Sequence, residues 1–311
     1  MNKFIEFITP EAGFPVKKAV IALGVFDGVH PGHRKVAAAA AQLAAELGVC
    51  TGAVTFIPHP RQVLGSAGSL NLLMPENIRI EKLLDAGADF VAKINFSREI
   101  ADWDAGKFLN DLRNCGLFEI AGICVGSNWR FGRNGSGNRE VLAEFCRKHN
   151  IRFIPVEEVE DHGKIVSSTL IRNMTAAGEI DEVHRIGGSF PQISGTVCSG
   201  MGAAGKDLKT PTANLELQYG VMVPDGVYAG STEINGVNFP AVLNIGTAPT
   251  YEVKEKRIEV HLIGFSGDLY GRFLSVSILR KLRDIRKFDS IEELKSQIAI
   301  DIQETVRLGK N

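Results

Sequence analysis

The chain has 311 residues, 44% of them hydrophobic, with 35 Lys and Arg against 36 Asp and Glu for a formal net charge of −1. That length suits two domains, and the balance of charge gives no electrostatic case for binding nucleic acid or an anionic membrane. Five cysteines, odd in number and without a C-x-x-C pair, argue against a disulfide framework and read as reduced thiols.

The opening MNKFIEFITPEAGF has no apolar core of signal-peptide length, and no later run approaches the ~18 apolar residues of a membrane span. A soluble, cytoplasmic protein is expected. AVIALGVF (19–26) has strand length, and RKVAAAAAQLAAELG (34–48) reads as a helix ending at Gly48. GVFDGVHPGH (24–33) therefore occupies a strand-to-helix turn. Free amides at a helix start favour an anion, and the glycines allow close approach of a phosphate. His30 and His33, three residues apart, can both face it, with Gly24, Phe26, Asp27 and Gly28 forming the rest of the turn. No Cys or carboxylate cluster stands nearby to complete a zinc set, so phosphorus chemistry is the better reading.

TGAVTF (51–56) is the next strand, and FIPHP (56–60) after it places His59 at the same sheet edge. DFVAKINF (89–96), ICVGSNW (123–129) and IRFIPVEEV (151–159) continue the strands, with ENIRIEKLLDAG, AGKFLNDLRNCG and NREVLAEFCRKHN as helices between them. This rhythm predicts an α/β domain, a Rossmann-like parallel sheet with helices on both faces and ligands beyond the carboxyl ends of the strands. In VGSNWRFGRNGSG (125–137), Asn128 beside Trp129 and Phe131 suits a flat aromatic ligand, or else an ordinary surface loop. SSTLIR (167–172) opens another helix. Its hydroxyls exceed the needs of one cap, and Ser168, Thr169 and Arg172 fit a triphosphate clamp.

From about residue 186, after HRIGGSFPQ (184–192), short apolar pieces alternate with turn signals, including an Asn235–Gly236 hairpin. An antiparallel β-barrel is expected, closed by a helix starting at a Ser290/Glu293 capping box. In TPTAN (210–214), Thr212 and Asn214 would share one strand face and suit Mg²⁺ with nucleotide phosphates; alone, the string is a plain turn and strand. In RIEVHLIGF (257–265), Ile258, Val260 and Leu262 share one face and Glu259 and His261 the other. There Glu259 is either a proton acceptor or an ordinary solvent-face residue.

GVFDGVHPGH, FIPHP, VGSNWRFG and VSSTLIR, then PTANL, NIGTAPT, IEVHL, DLYG and KLRD, stand in this order along nearly the whole chain. Together they resemble the bifunctional bacterial-type FAD synthetases. The resemblance implies an FMN adenylyltransferase domain over 1–185 and a riboflavin kinase domain over 186–311. It implies two Mg²⁺-dependent steps on small-molecule substrates: riboflavin to FMN with the γ-phosphoryl group of ATP, then FMN to FAD with release of pyrophosphate. His30 and His33 match positions that steady the α-phosphate, Ser168, Thr169 and Arg172 the triphosphate clamp, and Asn128 a flavin-side position. Thr212 and Asn214 match metal and phosphate ligands, and Glu259 the general base. The second domain departs from the family pattern at Ala203 and Ala204, at Leu208, Lys209 and Thr210, at Ala248 and at Ile285. These departures leave open an adenylyltransferase whose barrel holds flavin without turnover. Oligomeric state, including a homo-oligomer, is not encoded in any motif.

Overall fold

The computed structural model describes residues 4–9, 17–65, 70–198, 213–220, 223–247 and 256–309. By its internal contacts the chain forms two compact units, Met1–Leu70 with Glu76–Ser167, and Asn71–Pro75 with Ser168–Asn311.

In the first unit, β1 (Ile5–Thr9), β2 (Lys18–Leu23), β3 (Cys50–Ile57), β4 (Phe90–Asn95), β5 (Glu119–Gly126) and β6 (Arg152–Val156) form one sheet. Their order is β1-β4-β3-β2-β5-β6. Every pair from β4 to β6 is parallel, as the alternation predicts, and β1 adds an antiparallel edge against β4. A small hairpin, β7 (Glu160–Asp161) and β8 (Lys164–Ile165), follows. The helices of this unit are α1 (Pro31–Leu47), α2 (Pro60–Leu64), α3 (Glu76–Asp85), α4 (Arg98–Ala101), α5 (Ala105–Arg113) and α6 (Arg139–Lys148).

The interior strands β2, β3 and β5 are apolar almost without interruption, as strands covered on both faces must be. Helix α1 buries Val36, Ala37, Ala40, Leu43 and Ala44, a stripe at helical spacing. Gly122 of β5 makes room for it, because a Cβ there would stand 2.9 Å from Leu43 Cδ2. Strand β2 is the point where chain order reverses. From it the chain moves outward through β3 and β4, then returns to β5 on its other side. A crevice at the carboxyl ends of such neighbouring strands is where open α/β sheets bind ligands.

The second unit opens with α7 (Ser168–Ala177) and α8 (Ile180–Gly187). Strands β9 (Gln192–Cys198), β10 (Ala213–Tyr219), β11 (Gly226–Ile234), β12 (Val237–Thr247), β13 (Lys256–Leu262) and β14 (Phe273–Arg283) close into a barrel in the order β10-β13-β12-β11-β14-β9. All its pairings are antiparallel. Asn235 and Gly236, with φ of 53° and 77°, make the expected tight hairpin between the paired residues Ile234 and Val237. Ile258, Val260 and Leu262 face the core as the alternation predicts, beside Tyr228, Leu243, Ile245 and Val276.

Helix α9 (Ile291–Leu308) ends the chain's described part. Ser290 caps it by accepting from Glu293 N at 3.1 Å. Glu293 Oε2 accepts from Asp289 N at 3.2 Å, one residue beyond the N-cap nitrogen of Ser290 that a capping box would use. Asp301 of α9, buried, accepts from Arg283 Nη2 at 2.8 Å and Nε at 3.0 Å and from Gln297 Nε2 at 2.9 Å. Removing one member of a buried pair leaves the other charge uncompensated, at a cost of about 3–5 kcal/mol. Asp301→Ala is therefore expected to lower the barrel's stability by that order in a urea titration, while Lys295→Ala on the exposed side of the helix is neutral.

Candidate functional site

The first site is built on the turn between β2 and α1. Pro31 starts the helix, and His30 stands at its N-cap without using its side chain as a cap. His33 lies on the first turn of the helix. The two rings stack with centroids 3.6 Å apart and planes inclined by 25°. Gly32 permits this, since a Cβ there would stand 3.1 Å from His30 Cε1. Phe26 meets the His33 ring edge-on at 5.3 Å and lies over Gly24, where a Cβ would come within 3.1 Å of its ring. Asp27 is buried.

The backbone of this turn is contorted. Gly28 has φ of 89°, and two side-chain-bearing residues, Phe26 and Val29, have φ of 57° and 36°. Positive φ is a real outlier for a β-branched residue, and such strain collects where the surroundings over-determine it. The surroundings here are specific. Thr55 Oγ1 of β3 donates to Val25 O at 2.9 Å, Arg79 Nη1 of α3 donates to the same oxygen at 3.1 Å, and Arg34 Nε donates to Val29 O at 3.1 Å.

Two imidazoles so close cannot both carry charge cheaply. The pKa of His33 is held well below its ordinary 6.5, first by desolvation, then by His30 and by the Arg79 guanidinium. His33 is thus a neutral ring at pH 7, and its buried Nδ1 has no hydrogen-bond partner among the described residues. A neutral imidazole offers one N–H to an anion. The sign for stability follows from the lowered value. The unfolded chain takes up a proton near 6.5 that the folded chain resists, so the contribution is present above that pH and lost as pH falls. Thermal melting at pH 7.5 and 5.5 is expected to show this acid loss, and His33→Gln to diminish it.

His59 follows β3, at the same sheet edge as the turn after β2, because the two strands are parallel neighbours. Its Nδ1 accepts from Arg61 N at 3.0 Å and caps α2. The neutral ring consequently carries its proton on Nε2. Asn128 follows β5, across the crevice from the turn after β2, and its amide donates to Glu158 Oε1. Strand β5 ends at Gly126, so Asn128 stands in the turn beyond it.

Ser168, Thr169 and Arg172 lie on α7, which groups by contacts with the second unit. Arg172 Nε donates to Asn71 O at 3.0 Å. In the barrel, Asn214 of β10 pairs directly with Glu259 of β13, and Glu259 with Asn244 of β12. Residues opposed across antiparallel strands share a face, so these three form a row on the face opposite the barrel core. Asn244 Nδ2 lies 3.4 Å from Glu259 Oε2. An amide and a carboxylate side by side are hard oxygen donors, which suit a cation that takes most of its remaining ligands from phosphates and water. Thr212 lies outside the described residues, as do Ala203, Ala204, Leu208, Lys209, Thr210 and Ala248. Ile285 is half exposed, its Cδ1 2.7 Å from where Gly246 would carry a Cβ.

Residue-level reading of the sequence missed Arg79, Thr55, Glu158 and Asn244. Only Arg79 left a signal. It shares the apolar stripe of α3 with Ile80 and Leu83, where an arginine needs a reason.

The chain thus joins a parallel sheet with paired imidazoles at its switch point to a closed barrel with an amide–carboxylate row, and its family matches are those of a two-domain transferase. A family model described as FAD synthetase matches residues 15–170, and one described as riboflavin kinase matches residues 188–308. A bifunctional riboflavin kinase/FMN adenylyltransferase of Bacillus subtilis is 32% identical over 94% of this chain and 93% of its own. One of Pseudomonas fluorescens is 34% identical over 91% and 90%. The chain belongs to the bifunctional riboflavin kinase/FMN adenylyltransferase family. A solved structure described as a macrolide-efflux protein of Streptococcus pneumoniae is also similar, with TM-score 0.81 and 29% identity over 95% of both chains. Among the described residues no helix is long and apolar enough to cross a membrane.

Proposed function

We propose that this chain is a cytoplasmic enzyme that makes FMN and then FAD from riboflavin and ATP, its two steps running at separate sites. The observation that carries the reading is the stacked His30–His33 pair at the switch-point crevice. We assign adenylyl transfer to 1–185 and phosphorylation of riboflavin to 186–311.

In adenylyl transfer, a phosphate oxygen of FMN attacks the α-phosphorus of ATP, and the bond to the bridging oxygen of pyrophosphate breaks. His30 and His33 donate to the α-phosphate oxygens, where negative charge must be tolerated as the attacking group arrives. The remaining turn residues Gly24, Phe26, Asp27 and Gly28 shape the phosphate approach, and His59 adds an Nε2–H. Ser168, Thr169 and Arg172 hold the triphosphate tail, and Asn128 lies on the flavin side.

In the kinase step, Glu259 takes the proton of the riboflavin 5′-hydroxyl as that oxygen attacks the γ-phosphorus. Asn244 orients the carboxylate. Asn214 with Thr212 would hold Mg²⁺, which when bound neutralises charge on the phosphate oxygens. Both transfers are in-line displacements without a covalent enzyme intermediate.

The test is incubation with riboflavin, ATP and Mg²⁺, and separately with FMN, ATP and Mg²⁺, with flavins resolved by chromatography. FMN and FAD from the first mixture and FAD from the second support the reading. FAD from FMN alone, with riboflavin untouched, leaves a barrel that holds flavin without turnover, and neither product removes both activities.

A further inference from the structure

The turn that carries the histidines has a backbone carbonyl near each end that accepts from a side chain. Each is tied back. Val29 O is held by Arg34, whose own helix starts from the turn. Val25 O is held from two other elements, by Thr55 on β3 and by Arg79 on α3. Arg79 is 3% exposed, an unusual place for a guanidinium. The carbonyl it holds belongs to Val25, two residues after the end of β2 and one before the left-handed Phe26, where a released carbonyl would let the turn relax.

We propose that Arg79 is a positioning residue for adenylyl transfer: its guanidinium holds the Val25 carbonyl and thereby the turn in which His30 and His33 receive the nucleotide. The inference rests on the adenylyl-transfer reading of this turn. The same cation also bears on His33, adding to the effects of desolvation and of His30 in holding that ring neutral. Arg79 thus acts on the site twice, once through the backbone and once through its charge.

The experiment compares the wild-type chain with Arg79→Met and Arg79→Lys. FAD formation from FMN, FMN formation from riboflavin, and the ring titration of His33 by NMR are each measured. For Arg79→Met, kcat of FAD formation is expected to fall about 100-fold with KM for ATP changed less, as when a site donor is misplaced. FMN formation stays at the wild-type rate, and the His33 titration midpoint rises. Arg79→Lys restores part of the rate and returns the midpoint toward wild type. A kcat within about threefold of wild type, or an unmoved His33 midpoint, overturns the proposal. Should wild type form no FAD from FMN, the adenylyl-transfer reading falls separately, and the His33 titration still decides whether Arg79 governs the turn. If Arg79→Met does not fold, Thr55→Val, which removes the other bond to Val25 O, must lower kcat about tenfold; an unchanged rate counts against the clamp.

Discussion

Replacing His30 and His33 together by alanine is expected to stop FAD formation from FMN and ATP, while FMN formation from riboflavin continues at the wild-type rate. The rings stack at 3.6 Å on a turn held by Thr55, Arg79 and Arg34, so their donors are fixed before the nucleotide arrives. Removing one preorganised donor from a developing charge costs about 10²–10³ in rate. In the proposed mechanism two act on one phosphate, and groups that act as a unit lose less together than the product of their separate losses. A fall of about 10⁴-fold is therefore the expected size. The rate of FAD formation is the measurement, with pyrophosphate release as its independent check. A double variant that keeps about a tenth of the wild-type rate or more would show that the imidazoles are not the groups that meet the α-phosphate. The single variants carry a further expectation. His33→Ala also relieves the stacked pair, so the loss of stability on acidification shrinks with it.

Glu259→Ala is expected to produce the opposite pattern, with FMN formation from riboflavin lost and FAD formation from supplied FMN unchanged. The carboxylate stands between Asn214 and Asn244 on a closed barrel, where neighbouring strands leave it little freedom. A positioned general base contributes about 10²–10⁴ in rate, so a loss of that order is expected in kcat with little change in riboflavin KM. Glu259→Gln keeps the hydrogen bond with Asn244 but cannot take the proton, and it should fail as Ala does. If Gln retains activity where Ala does not, the side chain serves to hold geometry and the base lies elsewhere. The two opposite losses, taken in one chain, also test whether the activities are separate.

The alternation of strand and helix made the first unit legible because parallel strands covered on both faces must be apolar along their length. The Asn235–Gly236 hairpin and the inward Ile258, Val260 and Leu262 were legible for similar local reasons. β1 was not, because IEFIT earns its place only by pairing with β4, more than 80 residues away. The histidine pair was visible as a motif, but its stacking was not, nor was the positive φ of Phe26 and Val29 in the same turn, whose Val25 carbonyl accepts from Thr55 and Arg79 on distant elements. His59 was expected at the sheet edge and stands there, yet its use as a cap for α2 comes from the turn that Pro60 begins. Asn214 and Glu259 lie 45 residues apart in sequence, and only barrel closure makes them neighbours. Neither period nor spacing encodes that register.

Following where the phosphorus atoms of ATP go tests the whole account at once. Riboflavin is incubated with the enzyme, Mg²⁺ and ATP labelled at either the α- or the γ-position, and the flavins are separated and counted. The account predicts γ-label in FMN and in the FAD made from it, and α-label in FAD only. Flavins that never acquire the α-label, although FMN and ATP are both present, would contradict it.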